Sequence, residues 1–243
     1  MKKKYILLSV FLFTLFVGIW LLLYPIYRTR VENEEEARKA EGFRRYVAAA
    51  NENPSEIPET CQSAAFSEKP FPSLWKACEA YNVQLYEQRQ RNLDNLTMQS
   101  AGVCLPDYGY EQDIFCCLSF PKQDFEIPVY LGANSHNLDR GAAVLGQTSL
   151  PIGGESTNCV IAGHRCWNAA VKFRAIESLK KGDRVLLTNP WETLEYRVIE
   201  TKVVQPSALK PVSIQEGRDL LTLFTCTLGS GQRYLVICER EVN

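Results

Sequence analysis

The chain has 243 residues, with 27 Lys+Arg against 28 Asp+Glu and a formal charge of −1. That length holds one large core, or a smaller core with a helical appendage. The near-zero charge leaves no basic footprint for nucleic acid and does not favour acidic partners.

Residues 1–4, Met1-Lys2-Lys3-Lys4, form a short basic tail, expected on the cytoplasmic side. Residues 5–24 carry no charge and are interrupted only by Ser9, Thr14 and Gly18, the length of one helical membrane crossing of about 20 residues. A cleaved signal peptide is the competing reading, but Tyr24-Pro25-Ile26-Tyr27 follows where a small-x-small cleavage site is needed. The lysines therefore predict a single-pass anchor at the cell membrane with everything after residue 24 outside, against which Arg28 and Arg30 pull slightly.

Residues 25–100 read as a helical juxtamembrane region. Residues 27–50 are charged and alanine-rich, with Glu34-Glu35-Glu36 followed by Arg38, Lys39, Arg44 and Arg45, the pattern of a solvated helix. Pro54, Pro58, Pro70 and Pro72 predict loop over 51–73. A second helix fits 74–98, where Leu74, Cys78, Tyr81, Leu85 and Tyr86 make one apolar stripe.

After Ala101-Gly102 the chain becomes short β-rich runs punctuated by turn residues, which predicts a barrel or sandwich. Strands are expected near 113–119, 126–131, 158–163, 184–189, 194–204, 219–226 and 233–239, with short helices around 137–144 and 171–180. Nine cysteines leave at least one without an intramolecular partner. The other eight fit either up to four bridges or a set of buried thiols.

The chemistry concentrates late in the chain. Residues 219–226 form an apolar run ending in Cys226, and Arg233 opens the next run after Gly229-Ser230-Gly231, a hairpin signature. Antiparallel pairing carries the Arg233 guanidinium back toward Cys226, where it can hold an acyl oxygen. His164 closes the strand-like run Cys159 to Gly163, where a strand opens into a loop. A thiol, a proton-transfer group and a fixed cation are a working minimum for acyl transfer. The other histidine, His136, sits in a polar stretch and reads as solvated surface. Cys159, His164 and Cys166 cluster in sequence, but their spacing fits no usual zinc pattern, so no metal and no cofactor is expected.

Residues 112–243 resemble the sortases, cysteine transpeptidases of Gram-positive surfaces. The resemblance rests on Thr222-Leu223-Phe224-Thr225-Cys226, on Arg233 and on Val160-Ile161-Ala162-Gly163-His164-Arg165. Phe125-Glu126-Ile127-Pro128-Val129-Tyr130 and Thr148-Ser149-Leu150-Pro151-Ile152-Gly153-Gly154 add to it, and the combination is most similar to the pilin-polymerising class C branch. It implies a mainly β fold, a closed eight-stranded barrel with short helices, that cleaves a Leu-Pro-x-Thr-Gly (LPxTG) type signal after threonine. Cys226 would form the thioester, His164 would protonate the leaving amine, and Arg233 would position the substrate and stabilise the oxyanion. The acceptor amine is a pilin lysine in class C and a cell-wall precursor amine in housekeeping branches.

Class C sortases commonly carry a second membrane segment after the barrel; this sequence ends at Asn243, so anchoring is expected to rest on residues 5–24. They also carry an Asp-Pro-aromatic lid motif, which is absent here. In its place, within residues 101–111, stands Leu105-Pro106-Asp107-Tyr108-Gly109, one residue from the sorting signal itself. Those residues are candidate lid elements lying in the groove as a pseudo-substrate, with a Pro-Asp linker turn as the plainer reading and a Cys104–Cys226 redox lock as a further variant. Two other function classes stay open: a catalytically silent barrel that binds sorting signals, and a disulfide-rich adhesion domain in which Cys226 is bridged.

Overall fold

A computed structural model describes residues 2–52, 69–90, 102–165, 172–208, 210–229 and 231–241. Helix α1 (Lys2–Glu52) is a single rod of 51 residues that fuses the expected membrane segment and the expected solvated helix. Pro25 lies inside it. One proline removes one backbone donor, and the good helix formers on both sides carry the helix through. The apolar N-terminal half is exposed, and its best 18-residue window has a mean hydropathy of 2.8, enough by length and composition to cross a membrane.

The far end of α1 is docked. Ala40 and Phe43 are buried against Cys117, Arg44 pairs with Glu126, and the Tyr46 ring meets Tyr110 edge-on at 5.6 Å. The charged run is thus wet on one side only.

Helix α2 (Pro72–Glu87) starts on a proline, whose missing N–H is unneeded in the first turn. It stops eleven residues short of the expected 98, because Arg89 and Gln90 adopt positive φ of 50° and 46°. Residues 91–101, and 53–68 of the expected loop, lie outside the described residues. Leu74, Cys78 and Leu85 of the predicted stripe are buried as expected, together with Asn82, while Tyr86 turns outward. Asn82 accepts from Leu150 N–H at 2.7 Å and donates to Leu150 C=O at 3.4 Å, clamping the helix to the loop before β4.

Eight strands follow: β1 (Ile114–Phe120), β2 (Phe125–Leu131), β3 (Ala142–Val144), β4 (Thr157–Gly163), β5 (Arg184–Thr188), β6 (Thr193–Val204), β7 (Asp219–Cys226) and β8 (Arg233–Arg240). They close a barrel in the order β1-β2-β3-β4-β7-β8-β6-β5. Two neighbours, β2–β3 and β4–β7, run parallel.

Seven strands fall where the β-rich runs between turn residues predict them. β3 does not: the helix expected over 137–144 is α3 (Ser135–Arg140) followed by a strand. Asn134 caps α3 by accepting from Asn137 N–H at 2.9 Å. Gly141 ends it with an extended backbone, and a Cβ there would lie 2.6 Å from the Pro128 carbonyl, so glycine lets β3 come close to β2. The helix expected at 171–180 is a 3-10 segment, Lys172–Ser178.

The period of two sorts side chains to two faces. Cys116, Leu118, Ile161, Leu223 and Val236 point inward into the main core, which Phe71, Leu74 and Leu105 extend. Each such aliphatic side chain contributes about 1.5–3 kcal/mol by burial. Tyr130, Ala143, Val160 and Ala162 point outward and form a second cluster with Leu138 and Phe224, on the wall where β4 meets β7.

Candidate active site

The site sits on that outer wall, at the C-terminal ends of two parallel strands. In β4–β7 the last paired residues are Ala162 and Phe224. Two further residues along each strand bring His164 beside Cys226 on the same outward face. Between them Thr225 points inward, fully buried, and donates its hydroxyl to the Gly163 carbonyl at 2.8 Å. This bond ties the ends of the two strands together immediately beneath the two side chains.

The β7–β8 hairpin supplies the third. Cys226 and Arg233 are Cα partners in its final rung, and Thr227 N–H bonds the Gln232 carbonyl at 3.0 Å to close the turn. Arg233 is half-buried and donates through Nη1 to the carbonyls of Gly231 and Gln232 at 3.1 and 3.4 Å. His164, Cys226 and Arg233 together line a cleft of about 160 Å³, whose walls are Ala133, Leu138, Leu145, Ala162, Pro206 and Phe224. One end of the cleft is therefore nucleophilic and cationic, and the rest is apolar.

Exposure separates Cys226 and Cys104 from the other described thiols. Cys116, Cys117, Cys159 and Cys238 are buried, and loss of solvation pushes all four well up; Cys78, also buried, is pushed up to about 12. Cys226 is exposed. All seven described cysteines are free thiols, and at the five buried positions the buried-thiol alternative is the one the structure holds; Cys61 and Cys166 lie outside the described residues. Cys159 faces the interior core while His164 is exposed, so these two members of the sequence cluster do not converge.

Residues 105–108 form a 3-10 turn, Leu105–Tyr108, with Leu105 buried in the same core as Phe71 and Leu74. None of Leu105, Pro106, Asp107 and Tyr108 is among the residues lining the cleft. His136 is exposed, as the polar stretch implies, but it stands in the first turn of α3 with its Nε2 3.2 Å from Arg140.

Two residues at the site escape a reading of the sequence. Thr225 is one, since its role depends on the parallel β4–β7 pairing. Asp139 is the other: its Oδ1 is 3.7 Å from His164 Nε2. The β3–β4 register, Ala142 opposite Gly163, puts the end of α3 next to His164, and without β3 that proximity has no signature.

A barrel carrying a thiol, an imidazole and a guanidinium at the ends of neighbouring strands has the parts that thiol acyl transfer needs. The sortase domain family matches residues 118–241, and the chain belongs to the sortase family. Sortase A of Bacillus anthracis is 33% identical over 121 residues, covering 49% of this chain and 56% of that protein. The chain spans about half the length of the curated relatives it matches. Among solved structures, the Pilus Island 1 sortase C2 of group B Streptococcus is 33% identical with a TM-score of 0.63, covering 71% of this chain and 97% of that one. Sortase A from Corynebacterium diphtheriae is 26% identical with a TM-score of 0.63, covering 84% and 96%.

Proposed function

We propose that this chain is a membrane-anchored cysteine transpeptidase that cleaves an LPxTG-type sorting signal after threonine and passes the acyl group to a primary amine, a lysine side chain of a pilin subunit. The observation that carries the reading is the Cys226–Arg233 rung set beside His164 at the mouth of an apolar cleft. Cys226 attacks the threonyl carbonyl, and Arg233 stabilises the oxygen as it takes on charge. His164 gives a proton to the departing amine, and the thioester remains on Cys226 until an amine resolves it. The apolar walls suit the leucine and proline of such a signal.

The pilin-type acceptor is supported by similarity to structures described as a sortase C2 of a pilus island and a pilus-related sortase C. A housekeeping role, with a cell-wall precursor amine as acceptor, is supported by the relatives named sortase A. Residues 5–24 of α1 serve as the single membrane anchor, with the barrel outside the cell. The exposed free thiol at Cys226 argues against the adhesion-domain reading, in which that cysteine is bridged.

The test is mass spectrometry of the chain incubated with an LPxTG peptide, with and without a lysine-bearing pilin peptide or a cell-wall precursor mimic. A thioester on Cys226 that passes to the lysine supports the pilin-type reaction, and passage to the precursor mimic alone supports housekeeping. Absence of any adduct leaves a peptide-binding barrel.

A further inference from the structure

We propose that Gln90, which lies outside the cleft and ahead of the barrel in sequence, is a positioning residue that sets the fit of the cleft's apolar wall to the sorting signal. The inference rests on the transpeptidase reading above and concerns how that site recognises its peptide.

Gln90 is buried, and its amide grips the backbone of two separate segments. Nε2 donates to the Gln147 carbonyl at 3.1 Å, and Oε1 accepts from Ile214 N–H at 2.7 Å. Each contact lies two residues from a buried side chain of the outer apolar cluster, Leu145 on one segment and Val212 on the other. Leu145 itself lines the cleft, and Val212 is buried in the cluster that holds Leu138 and Ala162, which also line it. One side chain therefore ties together the two segments that back the wall.

The backbone at this contact is strained. Arg89 and Gln90 have positive φ of 50° and 46°, and Gln147, the residue that Gln90 donates to, has a φ of 62°. Non-glycine residues stay in that left-handed region only where the surrounding structure over-determines them. Tight packing does not supply the constraint on the Ile214 side. A hollow of about 550 Å³ opens beside the contact, lined by Tyr86, Glu87, Arg89, Ser213, Ile214 and Glu216 together with Gln90. A further tie comes from Asn158, whose Nδ2 donates to the Ser213 carbonyl at 3.1 Å. That bond keeps the segment attached when Gln90 is changed, so losing the Gln90 pair shifts the wall without releasing it.

A shift is enough to matter for recognition. A gap of about 0.5–1 Å forfeits roughly a quarter to a half of each apolar contact, so small displacements of Leu145 and Val212 weaken the hold on a leucine. The reacting groups are positioned independently, by the Cys226–Arg233 rung and by the Thr225 bond to Gly163. Gln90 thus acts on which peptide is accepted, through the wall, and leaves the thiol chemistry in place.

The test uses full-length protein in detergent and two peptides, one carrying the LPxTG signal and one with alanine in place of its leucine. The readout is the ratio of their kcat/KM values, which does not depend on the fraction of protein folded. Gln90→Met keeps the bulk but removes both hydrogen bonds, and is expected to lower the preference for leucine by about 3- to 10-fold. Asn82→Ala also removes two buried hydrogen bonds to the barrel, but at a different segment, and is expected to leave that preference within about two-fold of wild type. Should Gln90→Met not fold, hydrogen exchange in the Cys226→Ala protein decides. Bound LPxTG peptide is expected to slow exchange of the Ile214 amide, because coupling between clamp and wall acts in both directions. A preference unchanged by Gln90→Met, an equal fall in Asn82→Ala, or an Ile214 amide indifferent to peptide overturns the proposal. A wild type that turns over neither peptide overturns the transpeptidase reading and this inference with it.

Discussion

Cys226 and Arg233 are the last paired residues of the β7–β8 ladder, so the distance between nucleophile and cation is set by backbone hydrogen bonding rather than by side-chain contact. Changing either side chain should leave the hairpin in place and alter the chemistry alone. Cys226→Ala is expected to abolish thioester formation, and His164→Ala to lower turnover by about 10²–10⁴-fold. Arg233→Lys should cost about 10²–10³-fold, because an ammonium cannot reproduce a planar fork of donors. Near-normal peptide turnover by Arg233→Lys, measured under saturating substrate, would remove the oxyanion role.

Gly163 is the residue immediately before His164, and a Cβ placed on it would sit 2.4 Å from the Phe173 ring. Phe173 is fully buried and has little room to retreat. Gly163→Ala is therefore expected to cost about 1–3 kcal/mol and to displace His164, with kcat/KM falling at least about ten-fold. Thermal melts and turnover measured side by side check this. A variant with wild-type melting and wild-type rate would mean that the 172–178 segment yields freely.

Asn82 clamps α2 to the Leu150 backbone with two buried hydrogen bonds. Asn82→Ala leaves both Leu150 groups without that partner, at about 1–3 kcal/mol each, and at about 2–4 °C per kcal/mol for a chain of this size the melting temperature should drop by at least about 4 °C. The residue is not among those that line the cleft. Turnover measured below the melting transition should stay within about two-fold of wild type, and a selective loss of activity would connect α2 to the site.

Burial raises the folded-state pKa of Cys78, Cys116, Cys117, Cys159 and Cys238. A raised thiol pKa means that the unfolded chain loses its proton first. Stability is then complete below the ordinary value of 9.0 and is lost as pH climbs toward about 12, where Cys78 itself titrates. Each buried thiol contributes a slope of about −1.4 kcal/mol per pH unit in that window. Urea titrations between pH 8 and pH 11 should give a steep alkaline loss, and removing Cys159 and Cys238 together should flatten the slope by about 2.8 kcal/mol per unit. The slope is unaffected by any fixed cavity cost, so an unchanged slope would indicate that these thiols ionise in place.

Much of this architecture was legible because short β-rich runs are separated by turn residues, although only β5 and β6 alternate a buried with a more exposed face. The run 219–226 and the turn before Arg233 were enough to predict the β7–β8 hairpin. β3 was not legible: Ala142-Ala143-Val144 is too short to display a period and is buried throughout. Its parallel partner β2 leaves no turn signature between them. That loss propagated to the site, since Asp139 approaches His164 only because β3 runs beside β4. Chain chemistry placed a cysteine, a histidine and an arginine in one cleft, while contacts that depend on non-local strand pairing, such as Thr225 with Gly163, required the fold. The end of α2 was also hidden, because Arg89 and Gln90 are ordinary helix residues whose positive φ follows from tertiary contacts such as Gln90 with Ile214 N–H.

The unbroken run of α1 from its apolar start to the Phe43 contact with the barrel would give the proposed anchor an azimuth as well. A flexible tether would let the cleft sample every direction above a surface. On the proposed anchoring, a helix locked to β1 and β2 at one end and embedded at the other would convert residue count into compass bearing, about 100° and 1.5 Å per residue. Deleting one residue between positions 28 and 35 would swing the cleft by more than a quarter turn at almost constant height. Inserting seven would return it to within about 20° of its original heading, roughly 10 Å farther out. Spacing between bilayer and barrel thus acts as a phase, and partners held in the same membrane would meet Cys226 only at the right one.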